Sequence, residues 1–175
     1  MKGINVFVHE RGIRTMKIKF FTAGGTIDKV YFDRKSEYQV GKSHLVEILE
    51  QAQVTVAYEY ESLFRKDSLD LTEDDRQVIY EKIRADQNRH IIVTHGTDTM
   101  IETARRIKGI PGKIIVLTGA MAPASFKGTD ADFNIGLAVA AVQVMPPGVY
   151  IAMNGRIYDP DKVRKNIDLN RFEDI

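Results

Sequence analysis

At 175 residues, with 25 basic against 24 acidic side chains and a net charge of +1, the chain is long enough to bury a core and lacks the strong basic excess of a nucleic-acid-binding domain. It contains no cysteine, which excludes disulfides, thiolate metal sites and a cysteine nucleophile. No apolar run approaches the length that crosses a bilayer, and the opening "MKGINVFVHERGIRT" carries Glu10, Arg11 and Arg14 where a signal peptide needs continuous apolar residues.

These features predict a cytoplasmic protein with neither a membrane nor a nucleic-acid partner. Residues 1–15 read as an N-terminal extension, either disordered or added to a sheet edge, with Met16 as an alternative start. Residues 16–175 read as one domain, without repeats, low-complexity segments or linkers.

From Met16 onward, strand-like runs alternate with helical periods. "MKIKFFTA" (16–23) predicts a buried strand, "HLVEILEQA" (44–52) a helix, and "VTVAYEYESL" (54–63) a second strand. Thr72, with Asp75 three positions on, begins a helix running to about Asp86 as a weak capping box. "HIIVTH" (90–95) is a strand and "TDTMIETARRIKG" (97–109) a helix closed by Gly109. "KIIVLTG" (113–119) is a strand, 131–144 a helix, and "GVYIAMN" (148–154) the last strong strand. The alternation predicts an α/β fold: a doubly wound, mostly parallel sheet with helices on both faces.

Open parallel sheets bind ligands beyond the carboxyl ends of their strands. Four segments rich in small and hydroxyl residues fall there: "TAGGTID", "THGTDT", "LTGAMAP" and "MNGRIYD". In the first, the glycines admit close backbone approach, and Thr26 reads alone as either a turn threonine or a nucleophile awaiting a base. A phosphate cradle fits poorly, because neither G-x-G-x-x-G nor a G-K-[ST] ending is present. Thr97 and Asp98 alone read as helix capping, yet "HGTDT" also gathers a hydroxyl, a carboxylate and helix N–H groups that suit an ammonium, a carboxylate or an oxyanion. His95 reads as a satisfied strand-end histidine rather than a base. Ser68 and Lys165 read as surface loop residues on composition alone.

Taken together, "TAGGTID", "VTHGTDTMIETA", "TGAMAP", "DADFN" and "AMNGRIYDPDKVRK" resemble, in order and approximate spacing, the bacterial-type L-asparaginase/glutaminase family of threonine amidohydrolases. "SEYQVGKSH" and "KDSLDLTED" resemble its first-loop and substrate-loop segments, so the resemblance runs from about Met16 to Phe172. It implies hydrolysis of L-asparagine to L-aspartate and ammonia, with no metal and no organic cofactor, by a homodimer or larger homo-oligomer. Thr26 is implied as the nucleophile, presented by the Gly25 turn that lets substrate approach backbone. Lys165 is implied to polarise Thr97 while Asp98 holds the substrate amino group. Ser68 is implied to bind the substrate carboxylate, and Ala120 lies where a main-chain group faces the reacting amide. A first-loop tyrosine approaches the nucleophile in this family; Tyr38 matches the segment best, and Tyr31 lies nearer Thr26. The charged stretch from Asp28 to Gln39 is expected to act as a lid.

Three departures accompany the resemblance. The chain stops at Ile175, where the connection to the family's second domain is expected, and a neighbouring subunit's glutamate normally comes from that domain. Leu69 stands where many members carry glutamine, which makes the pocket less polar and predicts a preference for asparagine over glutamine. Ala122 replaces an arginine, with no functional reading attached. The competing readings are a catalytically silent homologue that binds aspartate or asparagine, a nucleotide-binding domain, and a subunit of a transfer-RNA amidotransferase.

Overall fold

Apolar runs rich in β-branched residues build the sheet, and four helices of 7 to 14 residues cover it. The computed structural model describes residues 16–32, 37–41 and 43–175, with only the backbone of 30–32 and 37–39. In chain order the elements begin with β1 (Lys17–Gly24), a single 3-10 turn (Thr26–Asp28), β2 (Lys29–Phe32), β3 (Glu37–Val40), α1 (Leu45–Gln51) and β4 (Ala57–Lys66). A second 3-10 turn (Ser68–Asp70) is followed by α2 (Glu73–Ala85), β5 (His90–Thr94), α3 (Met100–Arg106), β6 (Ile114–Thr118) and α4 (Ala131–Val144). The chain closes with β7 (Gly148–Met153), β8 (Arg156–Tyr158), β9 (Val163–Asn166) and β10 (Arg171–Asp174).

The main sheet has the order β4-β1-β5-β6-β7-β8, parallel except for the antiparallel edge pair β7–β8. Alternate residues of each strand feed two cores. Phe20, Ile92 and Val116 pack with Leu45, Leu49, Ile135 and Ala138 of α1 and α4. Phe21, Ile91, Val93 and Leu117 pack with Ile79, Ile83, Met100 and Ala104 of α2 and α3. Because β5 and β6 are covered on both faces, their sequences are continuously apolar rather than alternating. The doubly wound, mostly parallel sheet is therefore the observed fold.

Several expected boundaries move. The second predicted strand begins at Ala57 rather than Val54 and runs on to Lys66, because it pairs with β1 as far as Gly24 across a register irregularity. The helix expected over 97–109 is confined to Met100–Arg106: Thr97 and Asp98 precede it, and Thr99, at its N-cap, makes no side-chain cap bond. The capping box at Thr72 is complete, with Asp75 N donating to Thr72 Oγ1 at 3.2 Å and Thr72 N donating to Asp75 Oδ2 at 2.9 Å. Within the stretch read as a loop, the described residues form the hairpin β2–β3, as β-branched and aromatic residues favour. Residues 33–36, part of the proposed lid, lie outside the described residues, as does the extension 1–15.

"MNGRIYD" is the tight hairpin between β7 and β8, where Asn154 (φ 51) and Gly155 (φ 78) both take the left-handed conformation that a two-residue turn requires. It is therefore not a strand-to-helix turn. It sends the chain back toward β9, which carries Lys165.

Candidate active site

From β1 the chain crosses by α1 to β4 on one side, then by α2 to β5 on the other. The order thus reverses at β1 and β5, and the crevice beyond their carboxyl ends is where this architecture binds ligands. Thr26 follows β1 at this point and the segment 95–98 follows β5.

The two segments touch through glycine. Gly25 has φ +97, and a Cβ on it would sit 2.4 Å from both Cα and N of Gly96. A Cβ on Gly96 would in turn lie 2.5 Å from Cβ and Oγ of Ser68. Three loops therefore meet with no space for a side chain between them, and Thr26 opens the 3-10 turn beside that junction. Gly25 N donates to Lys66 O at 3.0 Å, which ties the Thr26 turn to the strand leading into Ser68.

Across the junction stands Lys165, brought in by the antiparallel pair β9–β10. Its Nζ donates to Thr97 Oγ1 at 2.8 Å and to Asp98 Oδ1 at 2.6 Å. The Lys165 side chain is 15% exposed while that of Asp98 is 43% exposed, so the pair lies at a solvent boundary rather than in the core. Thr97 is buried. Here the capping reading of Thr97 and Asp98 is replaced: they precede the helix and share an ammonium donated from a residue 68 positions from Thr97.

Ser68 is buried rather than a surface loop residue, and its Oγ has no hydrogen-bond partner among the described residues. Its carbonyl accepts from Thr99 Oγ1 at 2.8 Å, and Asp67 Oδ1 caps the turn by accepting from Leu69 N at 3.2 Å. Burial opposes ionisation of Asp67. The Lys29 hydrogen bond, with the Leu69 and Ser68 amides, outweighs it and holds the carboxyl below its ordinary range. Lys29 lies 2.6 Å from Asp67 Oδ2, linking the base of the β2–β3 hairpin to the Ser68 turn. Leu69 is 72% exposed and offers an apolar surface there. Tyr31 and Tyr38 stand opposite each other in the hairpin register, so the backbone does not choose between them.

Ala120 is buried on a loop held by two residues that the sequence reading passed over. Asp130 accepts from Met121 N at 2.9 Å and Ala122 N at 3.0 Å, while Asn134 Nδ2 donates to Gly119 O at 3.0 Å. Ala124 N then donates to Ile27 O at 3.1 Å, joining this loop to the Thr26 turn. The signal was present in "DADFN", whose i, i+4 spacing puts Asp130 and Asn134 on one side of the helix start.

His95 is fully buried with both nitrogens engaged: Nδ1 lies 2.8 Å from Gly96 O and Nε2 lies 2.8 Å from Thr103 Oγ1. Burial pushes its pKa down from 6.5 to about 4, so the ring is neutral and serves as structure. Among the described residues no group of three His, Cys, Asp or Glu side chains is arranged to hold a metal ion. Nor is any helix among them long and apolar enough to cross a membrane. A groove of about 440 Å³, lined by Leu49, Val54, Val56 and Tyr58, shares no residue with this crevice.

Comparison with known proteins identifies the family. The family model "Asparaginase, N-terminal" matches residues 17–172. "L-asparaginase 2" of Escherichia coli is 30% identical over 153 residues, covering 81% of this chain and 44% of that protein. An L-asparaginase of Thermococcus kodakarensis is 33% identical over 95 residues, covering 51% of this chain and 29% of that protein. The solved structure of the thermostable L-asparaginase from the same organism superposes with a TM-score of 0.80 at 26% identity, covering 91% of this chain and 51% of that one. The chain thus spans about half or less of the relatives it matches. By the extent of the match and the fold, it belongs to the asparaginase family, within that family's N-terminal region.

Proposed function

We propose that the chain binds L-asparagine in the β1/β5 crevice and hydrolyses its side-chain amide to L-aspartate and ammonia. The observation that carries this reading is the Lys165 ammonium on both Thr97 Oγ1 and Asp98 Oδ1, beside the Thr26 turn, in a chain of the asparaginase family. Thr26 Oγ1 adds to the amide carbon, its proton goes to the departing nitrogen, and ammonia leaves a β-acyl ester. Water then adds to that ester near Thr97 and Lys165, the Thr26 hydroxyl regains a proton, and aspartate departs. The chemistry calls only for side chains, backbone and water.

Asp98 gives one oxygen to Lys165, and its exposed carboxylate suits a substrate ammonium at the other. The buried Ser68 hydroxyl, without a partner among the described residues, is a cost of about 1–3 kcal/mol that a substrate carboxylate would relieve. Gly25 gives the substrate close approach to backbone, the Ala120 main chain faces the amide, and Tyr31 or Tyr38 from the hairpin approaches Thr26. Leu69 makes the rim apolar and favours asparagine over the longer glutamine. Residues 16–175 act as a single domain in a homo-oligomer.

The test is ammonia release from L-asparagine by the wild type and by Thr26→Ala, with L-glutamine alongside. Release that falls by about 1,000-fold or more in Thr26→Ala is the expected result. A wild type that binds aspartate and frees no ammonia overturns the hydrolytic reading in favour of a silent binder.

A further inference from the structure

Behind Gly96 runs a polar chain that no step of the proposed reaction uses. Each of its links has a single direction. The Gly96 carbonyl only accepts, so His95 Nδ1 carries the ring proton. The neutral ring then leaves Nε2 as an acceptor, and the Thr103 hydroxyl spends its one proton there. Thr103 Oγ1 keeps a lone pair, which accepts from Arg76 Nε at 3.3 Å. The Arg76 side chain is 9% exposed, and Glu73 Oε1 braces it from the surface at 2.7 Å.

We infer that Arg76 and Thr103 are positioning residues for the proposed hydrolysis, acting through His95 to fix the Gly96–Thr97 peptide plane at the junction of the three site loops. The inference rests on the hydrolytic reading for its purpose and on geometry for its content. In a trans peptide the C=O and N–H point opposite ways, so a carbonyl held toward His95 turns the Thr97 N–H away from it. That plane starts at a crowded residue, because neither Gly25 nor Gly96 has room for a Cβ against the other or against Ser68. Rotation of the plane therefore displaces Thr97, whose hydroxyl takes the Lys165 hydrogen bond, relative to Thr26.

Arg76 supplies the terminal donor of the chain and lies on α2, Thr103 on α3 and His95 just beyond β5, so the relay also couples two helices to the crevice. The groups facing His95 are Arg76 and Thr103 from those helices and the Gly96 carbonyl from its own loop.

Arg76→Met, Thr103→Val and Thr103→Ser test the inference through asparagine kinetics and the backbone amide resonances of Gly25, Gly96 and Thr97. Arg76→Met and Thr103→Val are expected to lower kcat/KM about 10-fold or more and to shift those amides. Thr103→Ser, which keeps the hydroxyl, is expected to return both to near wild type. Arg76→Met with unchanged amides and kcat/KM within twofold of wild type, even with a lower Tm, would make the chain merely structural and overturn the inference. A wild type without ammonia release, combined with amides that move in Arg76→Met, removes the hydrolytic reading and leaves the relay standing. Should Arg76→Met fail to fold, Thr103→Val against Thr103→Ser decides by the same two readouts.

Discussion

Lowering the pH reads out the buried imidazole directly. His95 is held at a pKa of about 4 against an ordinary 6.5, by burial first, opposed by the Gly96 carbonyl bond and aided by the Arg76 charge. Between those values the unfolded chain binds a proton that the native state refuses, so stability falls as pH falls. At about 1.4 kcal/mol per pH unit, His95 removes about 2 kcal/mol between pH 6.5 and 5, and about 3 kcal/mol by pH 4. That is a large share of the roughly 5–15 kcal/mol expected of a domain. His90, lowered by burial and by Arg89, adds in the same direction. Asp28, raised by burial against the His44 amide and Ser43 hydroxyl, acts the other way, since its native state holds a proton more tightly. Asp67 and Asp75, whose pKa values are lowered, keep their contribution until the pH falls below the ordinary 3.8. As the pH falls from 6.5 to 5, the histidines therefore lower stability, and the raised Asp28 acts against them. Urea unfolding followed by circular dichroism, at about 2 kcal/mol/M, should show the midpoint falling by about 1 M across that range. A His95 imidazole resonance that titrates near 6.5 in the folded protein, or a midpoint that stays flat in Asp28→Asn as well, would refute the reasoning.

Three further outcomes follow from the site. Gly25→Ala places a Cβ 2.4 Å from Gly96 backbone at φ +97, and is expected to cost about 2–4 kcal/mol, lowering Tm by roughly 5–15 °C in a scan. Lys165→Met removes the donor to Thr97 and Asp98; ammonia release should fall about 100-fold or more while Tm moves by only a few degrees, and kcat within twofold of wild type would count against Lys165. Leu69→Gln should raise glutamine use relative to asparagine, read as the ratio of the two kcat/KM values. An unchanged ratio removes Leu69 as a selectivity element.

What the sequence made legible follows the range of the forces involved. Strands β5 and β6 show in "HIIVT" and "IIVLT" because burial on both faces leaves continuous apolar runs, and α2 shows because its cap is local. The hairpin β2–β3 was hidden in a charged stretch, where pairing is decided by a partner strand rather than by composition. Thr97 and Asp98 resembled a helix cap because capping is the commonest local use of those residues, and only Lys165, 68 positions from Thr97, reassigns them. Composition likewise left Ser68 on the surface, whereas the Gly96 contact buries it. Arg76 gave no signal at all: a single arginine in "TEDDRQVIY" reads as a solvated helix face. It is buried because α2 packs across α3, and the Thr103 hydroxyl and Glu73 satisfy part of its guanidinium. Glycine connects the legible and the hidden parts. "GGT" and "HGT" announce close backbone approach, but which backbone each glycine meets is fixed by the order β4-β1-β5, and that crossing of loops over one junction brings Thr26, Ser68 and Thr97 together.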